Sequence, residues 1–397
     1  MRTSKLRIWL LGAVLLVLGT LLAGCGSSSR AVLTGSSWPG FTVADDVVYI
    51  AFGPQVYAVD LATTNPIWSF PEEPQRGQAF YAPPAVDDDL VVVGDYTNML
   101  FALDRETGRE VWSFQSGRAR FIGGAVIGEE YVYAGAVDGT FYALDRETGE
   151  EVWSFAARRD IWSTPLLIGD TVYVTSLDRH LYALDARTGD LRWQFPAPGE
   201  EDREPIMGAL VGTPTLYEGV LYFGSFNNHV YALDAGTQEV LWTFQTTNWV
   251  WSSPAIDEEN NLLVGGDLDG LVFALDRETG ESVWTFDTDG PIVGTPALGT
   301  LSDGTRVAYV TSGDSNLYML SIEDGTPVAP PVSVKAEFTT RFLVIPTGVS
   351  IRPVPVYAPP VLYDDVVLVG VHQGESLLYA FDRETLLERW TFEPPTD

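Results

Sequence analysis

The residue types that most often do chemistry are scarce in this chain. Its 397 residues include three His and one Cys. His180 and His229 each stand three residues before an Ala, at equivalent places in successive repeats, and no third ligand accompanies them. The repeat itself accounts for that spacing, without a metal. His372 is isolated, so no Ser-His-Asp set can be assembled. No Gly-x-Gly-x-x-Gly opens a helix, so nucleotide binding has no support. With Cys25 alone, neither an intrachain disulfide nor a Cys-based zinc cluster is available. What remains is recognition chemistry. Arg118, Arg120, Arg158 and Arg159, with Trp162, Trp249 and Trp251, fall in stretches joining one repeat to the next. Arg and Trp are the types most enriched in binding hot spots, and here they form a cationic exception in a chain of net charge −31.

That charge excludes nucleic acid as a partner, since no basic footprint meets phosphates. Only Lys5 and Lys335 represent lysine. At the N-terminus Arg2, Lys5 and Arg7 precede an apolar run from Ile8 to Leu22, short for a membrane span. Leu22-Ala23-Gly24-Cys25 follows and resembles the bacterial lipobox. The resemblance implies a signal peptide over 1–24 and lipidation of Cys25 as the first mature residue, with 25–37 a flexible tether. Losing Arg2, Lys5 and Arg7 takes the net charge from −31 to −34. Lipid chains would then hold at the membrane a body that anionic headgroups repel. The uncleaved alternative is a membrane anchor.

The remainder, 38–397, is periodic. Ala58, Ala102, Ala143, Ala183, Ala232, Ala274 and Ala380 each precede an apolar residue and an Asp. Eight residues after each Asp stands a Trp: Trp68, Trp112, Trp153, Trp193, Trp242, Trp284 and Trp390. An eighth, decayed copy fits 291–330, with Ala329 where Trp should be. Most copies start 40–49 residues apart, a propeller-blade period. Within 161–195 the pattern predicts strands at Ser163–Ile168, Thr171–Ser176, Leu181–Leu184 and Leu191–Phe195. Asp185 to Gly189 reads as a hairpin turn. No sustained helical period occurs. The expectation is an all-β, eight-bladed propeller of four-stranded antiparallel blades. The Trp series reads as a packing device between blades, with Ala leaving room for the ring.

The string Tyr142-Ala-Leu-Asp-Arg-Glu-Thr-Gly-Glu-Glu-Val-Trp153 resembles the repeat of the pyrroloquinoline-quinone (PQQ)-type propellers, Ala-x-Asp-x-x-Thr-Gly-x-x-x-Trp. Full copies stand at 102–112, 143–153, 183–193 and 274–284. Copies at 58–68, 232–242 and 380–390 replace the Gly with Thr64, Gln238 and Leu386. Gly-His and Trp-Asp pairs of WD40 repeats are absent. The resemblance implies one of two branches. Quinone-dependent dehydrogenases need an Asp base, carboxylate and amide ligands for calcium and often a Cys pair; the Cys pair is absent, no enlarged loop assembles a Glu-Asn-Asp cation site, and the chain is short for those enzymes. Non-catalytic lipoprotein propellers, similar to the outer-membrane assembly factor BamB, share the lipobox, the eight blades and the length. That branch implies a lipid-anchored, cofactor-free scaffold binding a protein partner in the cell envelope, at the cell membrane or outer membrane.

Strand alternation puts the blade-to-blade connections and the second-to-third turns on one face. Tyr81, Trp162, Val211, Trp251, Val293 and Tyr357, with Ile122 aligned, are expected to line the channel mouth there. The Arg and Trp residues named above, with Asn248 nearby, form a candidate binding rim, or the Arg residues pair with Asp and the aromatics plug the channel. The opposite face carries the Asp-x-x-Thr-Gly turns, read as solvated turns rather than a calcium array because they lie a blade apart. Three connections are long: 71–79, the acidic 196–210, read as mobile, and an apolar insertion at 328–356. The last is expected to form a hairpin, Glu337–Ile345 with Val349–Val354, that packs on the propeller or serves as a second docking element. Two further readings remain, a quinone enzyme and a small-ligand binder at the channel mouth. Ring closure by packing or by an added strand at 31–35 stays open.

Overall fold

The structure, a computed structural model, describes residues 40–117, 119–202, 205–342 and 345–395, with side chains left undescribed at 340–347. The expected signal peptide at 1–24, Cys25 with the expected tether to 37, the strand considered at 31–35 and Arg118 lie outside the described residues. Eight four-stranded antiparallel sheets follow one another at 40–70, 85–115, 125–156, 166–195, 215–245, 255–287, 297–333 and 361–392. They form an eight-bladed β-propeller, with strand order in each blade equal to chain order.

Burial explains the strand sequences. Third strands such as Gln55–Asp60 and Met99–Asp104 are buried over four successive residues. Both their faces are covered by neighbouring blades, so apolar residues run without alternation. Fourth strands alternate: in Glu110–Gln115 Trp112 is buried while its neighbours are exposed. In seven blades a bulge falls immediately after the repeat Ala and sets that Ala opposite the Trp, as Ala102 faces Trp112.

The Trp side chains tie each blade to the next. Trp68, Trp112, Trp242 and Trp284 donate their indole N–H to the carbonyls of Arg105, Arg146, Arg277 and Ile322 at 2.9, 2.8, 2.9 and 2.7 Å. Each ring lies against the turn Gly of the following blade. At Gly149, whose φ is 72°, an added Cβ would stand 2.6 Å from Trp112. Glycine therefore meets two demands there, left-handed backbone and close approach. The Asp of each turn accepts from the Thr three residues on, as Asp104 does from the Thr107 N–H at 2.8 Å.

The three copies without Gly have local reasons. Ahead of Leu386 the preceding blade offers Ala329 in place of Trp, and Leu386, fully buried, fills that space. Gln238 donates its amide to the Ala235 carbonyl at 3.0 Å, at the place where other turns receive an indole. Thr64 keeps the left-handed backbone, with φ 58°.

Several boundaries differ from the sequence pattern. The first strand of the fourth blade is Leu166–Ile168, not Ser163–Ile168. Pro165 has no N–H to give a ladder, and Thr164 instead receives the Gly124 N–H at its hydroxyl. The seventh blade completes itself with Val332–Ser333, so the insertion is shorter than 328–356. The hairpin is Lys335–Phe342 with Ile345–Pro353. Its base, Val334, Ala336, Val354 and Val356, is buried between the seventh and eighth blades, whereas Val349 and Ile351 are exposed. The base of the hairpin thus packs on the propeller, the first of the two expected arrangements. The far end of the acidic connection is anchored: Met207 and Leu210 are buried and Asn227 donates to the Ile206 carbonyl at 2.9 Å. Among the described residues the ring closes by packing, with Phe41, Ile50 and Tyr57 against Leu368, Leu377 and Phe392.

Candidate functional site

Buried carboxylates position the connections of the channel face. Asp267 is fully buried, and its Oδ2 accepts the backbone N–H groups of Thr247 and Asn248 at 3.0 and 2.9 Å. Its Oδ1 accepts the N–H of Asp269 and Leu271. The stretch bearing Trp249 and Trp251 is thereby fixed. Asp178 does the same two connections earlier, accepting the Arg158 N–H at 2.9 Å and the Tyr182 hydroxyl at 2.7 Å. Burial opposes the charge on Asp178, but hydrogen bonds from His180, Tyr182 and Arg158 outweigh it, so its carboxyl titrates below the ordinary range.

The aromatic residues converge. Trp162 and Trp251, from connections two blades apart, meet with ring centroids 6.1 Å apart. Trp251 is 3% exposed and packs with Val211 and Val293, with Trp162 and Tyr357 against them. Trp249 is 40% exposed and stacks flat on Phe226 at 4.4 Å. Arg120 lies 5.5 Å above the ring of Tyr96, a cation–π contact. Burial pushes the Tyr96 hydroxyl up to about 12, with Arg120 opposing.

Arg120, Arg158 and Arg159 are exposed, and none forms an ion pair among the described residues. The aromatic part of the rim is split: Trp251 is buried under the surface, Trp162 is half-buried and Trp249 is open. Phe226, Tyr96, Asp178 and Asp267 escaped sequence reasoning. Phe226 and Tyr96 stand six residues before the repeat Ala, as do Leu177 and Leu268, so a channel-facing position recurs there.

Beneath Trp251 the channel holds a cavity of about 120 Å³ lined by Thr164, Thr213, Thr295 and Pro359 among others. A tricyclic quinone does not fit a space closed this tightly by the chain's own rings. Among the described residues no group of three or more His, Cys, Asp or Glu is placed to hold a metal ion. His180 and His229 each bond within their own turn, through Nδ1 to the carbonyls of Asp178 and Asn227 at 3.0 and 2.9 Å.

Comparisons agree with this architecture. A crystal structure of BamB from Moraxella catarrhalis is 20% identical, with TM-score 0.63, covering 84% of this chain and 91% of that one. A computationally designed protein, Ika8, reaches TM-score 0.67 at 14% identity, over 87% of this chain and 96% of its own. A europium-containing methanol dehydrogenase gives TM-score 0.59 at 16% identity, over 72% of this chain and 75% of that one. At these identities the likeness is one of fold, which hosts scaffolds, designs and enzymes alike. No curated protein sequence matches the chain. The family profile described as outer membrane protein assembly factor BamB matches residues 27–124, 117–225 and 204–396. Those segments take in nearly every residue of the propeller, and the chain belongs to that family.

Proposed function

We propose that this protein is a non-catalytic scaffold, held at the membrane by lipid on Cys25, whose channel face binds a protein partner in the cell envelope. The family description points to outer-membrane protein assembly as the setting. One observation carries the reading. The channel mouth is filled by Trp162, Trp251, Val211 and Val293, while Arg120, Arg158, Arg159 and Trp249 stand exposed around it. Such a surface offers cations and flat rings to a partner and leaves no chamber for a reaction.

The test is chemical crosslinking in native membranes, tag purification and mass spectrometry. A β-barrel assembly protein is expected with the native chain and lost with Arg159→Ala and Trp162→Ala together. Unchanged recovery from that double variant overturns the rim assignment. Cys25→Ser is expected to move the protein from the membrane to the soluble fraction, and its retention at the membrane contradicts lipid anchoring.

A further inference from the structure

Val349 and Ile351 are 60% and 66% exposed, and no blade accounts for them. Other open apolar residues belong to the repeat: Ile67, Val111, Val152, Leu241 and Val283 each stand just before a repeat Trp, one to a blade. Val349 and Ile351 sit instead on the second strand of the hairpin, Ile345–Pro353, between the seventh and eighth blades. From Gly348 to Pro353 every residue of that strand is exposed. Successive side chains of a strand take opposite faces, so this strand stands clear of the ring on both. The base below it is fixed. Val334, Ala336, Val354 and Val356 are buried, and the Glu375 N–H donates to the Glu337 carbonyl at 3.1 Å. The Thr339 N–H donates to the Glu375 carboxylate at 3.2 Å.

Its composition sets the hairpin apart from the rest of the chain. Toward the far end the sequence reads Phe342-Leu343-Val344-Ile345-Pro346, without a charge. Over 335–353 the cations Lys335, Arg341 and Arg352 stand against Glu337 alone, a net +2 in a chain of −31. Lys335 and Arg352 form no ion pair among the described residues. The Arg352 guanidinium lies 4.1 Å over the Phe338 ring. An apolar end with exposed apolar residues and cations behind it matches a lipid interface. Apolar groups enter the acyl boundary, and cations stay at the level of anionic headgroups.

We propose that this hairpin inserts its apolar end into the surface of an anionic lipid bilayer and so sets the tilt of the propeller on the membrane. The topology allows it. The hairpin is a blade-to-blade connection and therefore leaves the channel face. The first strand, Gly40–Ala44, also begins on that face, in the blade that closes against the eighth. The segment leading to Gly40 and the hairpin thus approach a membrane from the same side. The connection bearing Arg158 and Arg159 joins the third and fourth blades, across the ring, so a protein partner there does not compete for the hairpin. The proposal does not depend on lipid at Cys25 or on the rim.

The test places the full chain on vesicles of phosphatidylcholine and phosphatidylglycerol. Val349→Cys carries an environment-sensitive fluorophore, and Val283→Cys, on an outer strand of the sixth blade, is the control. The labelled parent chain reads any signal from Cys25, and flotation with the vesicles reports attachment separately. The label at position 349 is expected to be quenched by nitroxide-bearing lipids, and the label at position 283 is not. Phe342→Ser with Ile345→Ser is expected to abolish that quenching while the protein still floats. Arg341→Gln with Arg352→Gln is expected to weaken it on these vesicles but not on phosphatidylcholine alone. Floating protein whose label at position 349 stays unquenched overturns the proposal and leaves lipid anchoring intact, whereas protein that does not float contradicts both. A label shielded in native membranes but not on vesicles would assign the hairpin to a protein partner and overturn the proposal as well.

Discussion

Asp185 shows how much of this molecule's charge is already committed. Its carboxylate accepts from Arg192 at 2.8 Å and from the Thr188 N–H at 3.0 Å. Arg192 first, and the turn N–H next, lower its pKa to about 2 from an ordinary 3.8. A folded value below the unfolded one means that the stabilisation is complete above about pH 4 and drains away as pH falls toward 2. Asp382 repeats the pattern through Arg389, also at about 2. A carboxyl-detected NMR titration is expected to place the Asp185 midpoint near 2 and to move it up toward the ordinary value in Arg192→Ala. A midpoint unmoved by that change would assign the shift to the turn backbone alone. The same economy sharpens the significance of Arg120, Arg158 and Arg159, exposed and without ion pairs among the described residues of a chain rich in Asp and Glu.

At the scale of elements, the joint between blades is Trp on Gly, and its strength follows from how complete the joint is. Trp112 is 6% exposed, donates to Arg146 and lies on Gly149. Trp193 is only partly buried, and Gln238 stands where its Gly would be. Trp112→Ala is expected to cost about 3–5 kcal/mol of unfolding free energy, and Trp193→Ala distinctly less, both measured by urea denaturation. Equal costs would mean that the Gly platform and the indole hydrogen bond add nothing measurable to the joint. The periodic Ala, Asp and Trp made blade number, strand order and the inter-blade role of Trp legible in the sequence, because each residue answers to a local geometry repeated in seven blades. Features that break the period were not legible in the same way. Pro165 shortens a strand because it lacks one N–H, which alternation does not register. Leu386 looked like decay of the motif, yet it answers Ala329 about 57 residues earlier, a pairing that only the folded ring reveals.

The whole molecule presents two faces with opposite chemistry. One gathers exposed Arg and Trp around a closed channel. The other is acidic, and several of its carboxylates, Asp45, Asp87 and Glu218 among them, are held by the chain's own Arg. The rim was partly legible, since Arg and Trp stood out by type, but Trp251 proved to be a plug, and the supports beneath it, Asp178, Asp267 and Phe226, sit in turns whose role depends on neighbouring blades. The central claim is that the channel face binds a protein and does no chemistry. Crosslinking in native membranes, followed by purification and mass spectrometry of the native chain beside the Arg159→Ala, Trp162→Ala variant, tests it most directly. The account predicts a defined envelope protein recovered with the native chain and lost with the variant. Recovery of no protein by the native chain, together with a quinone chromophore in the purified material, would contradict it.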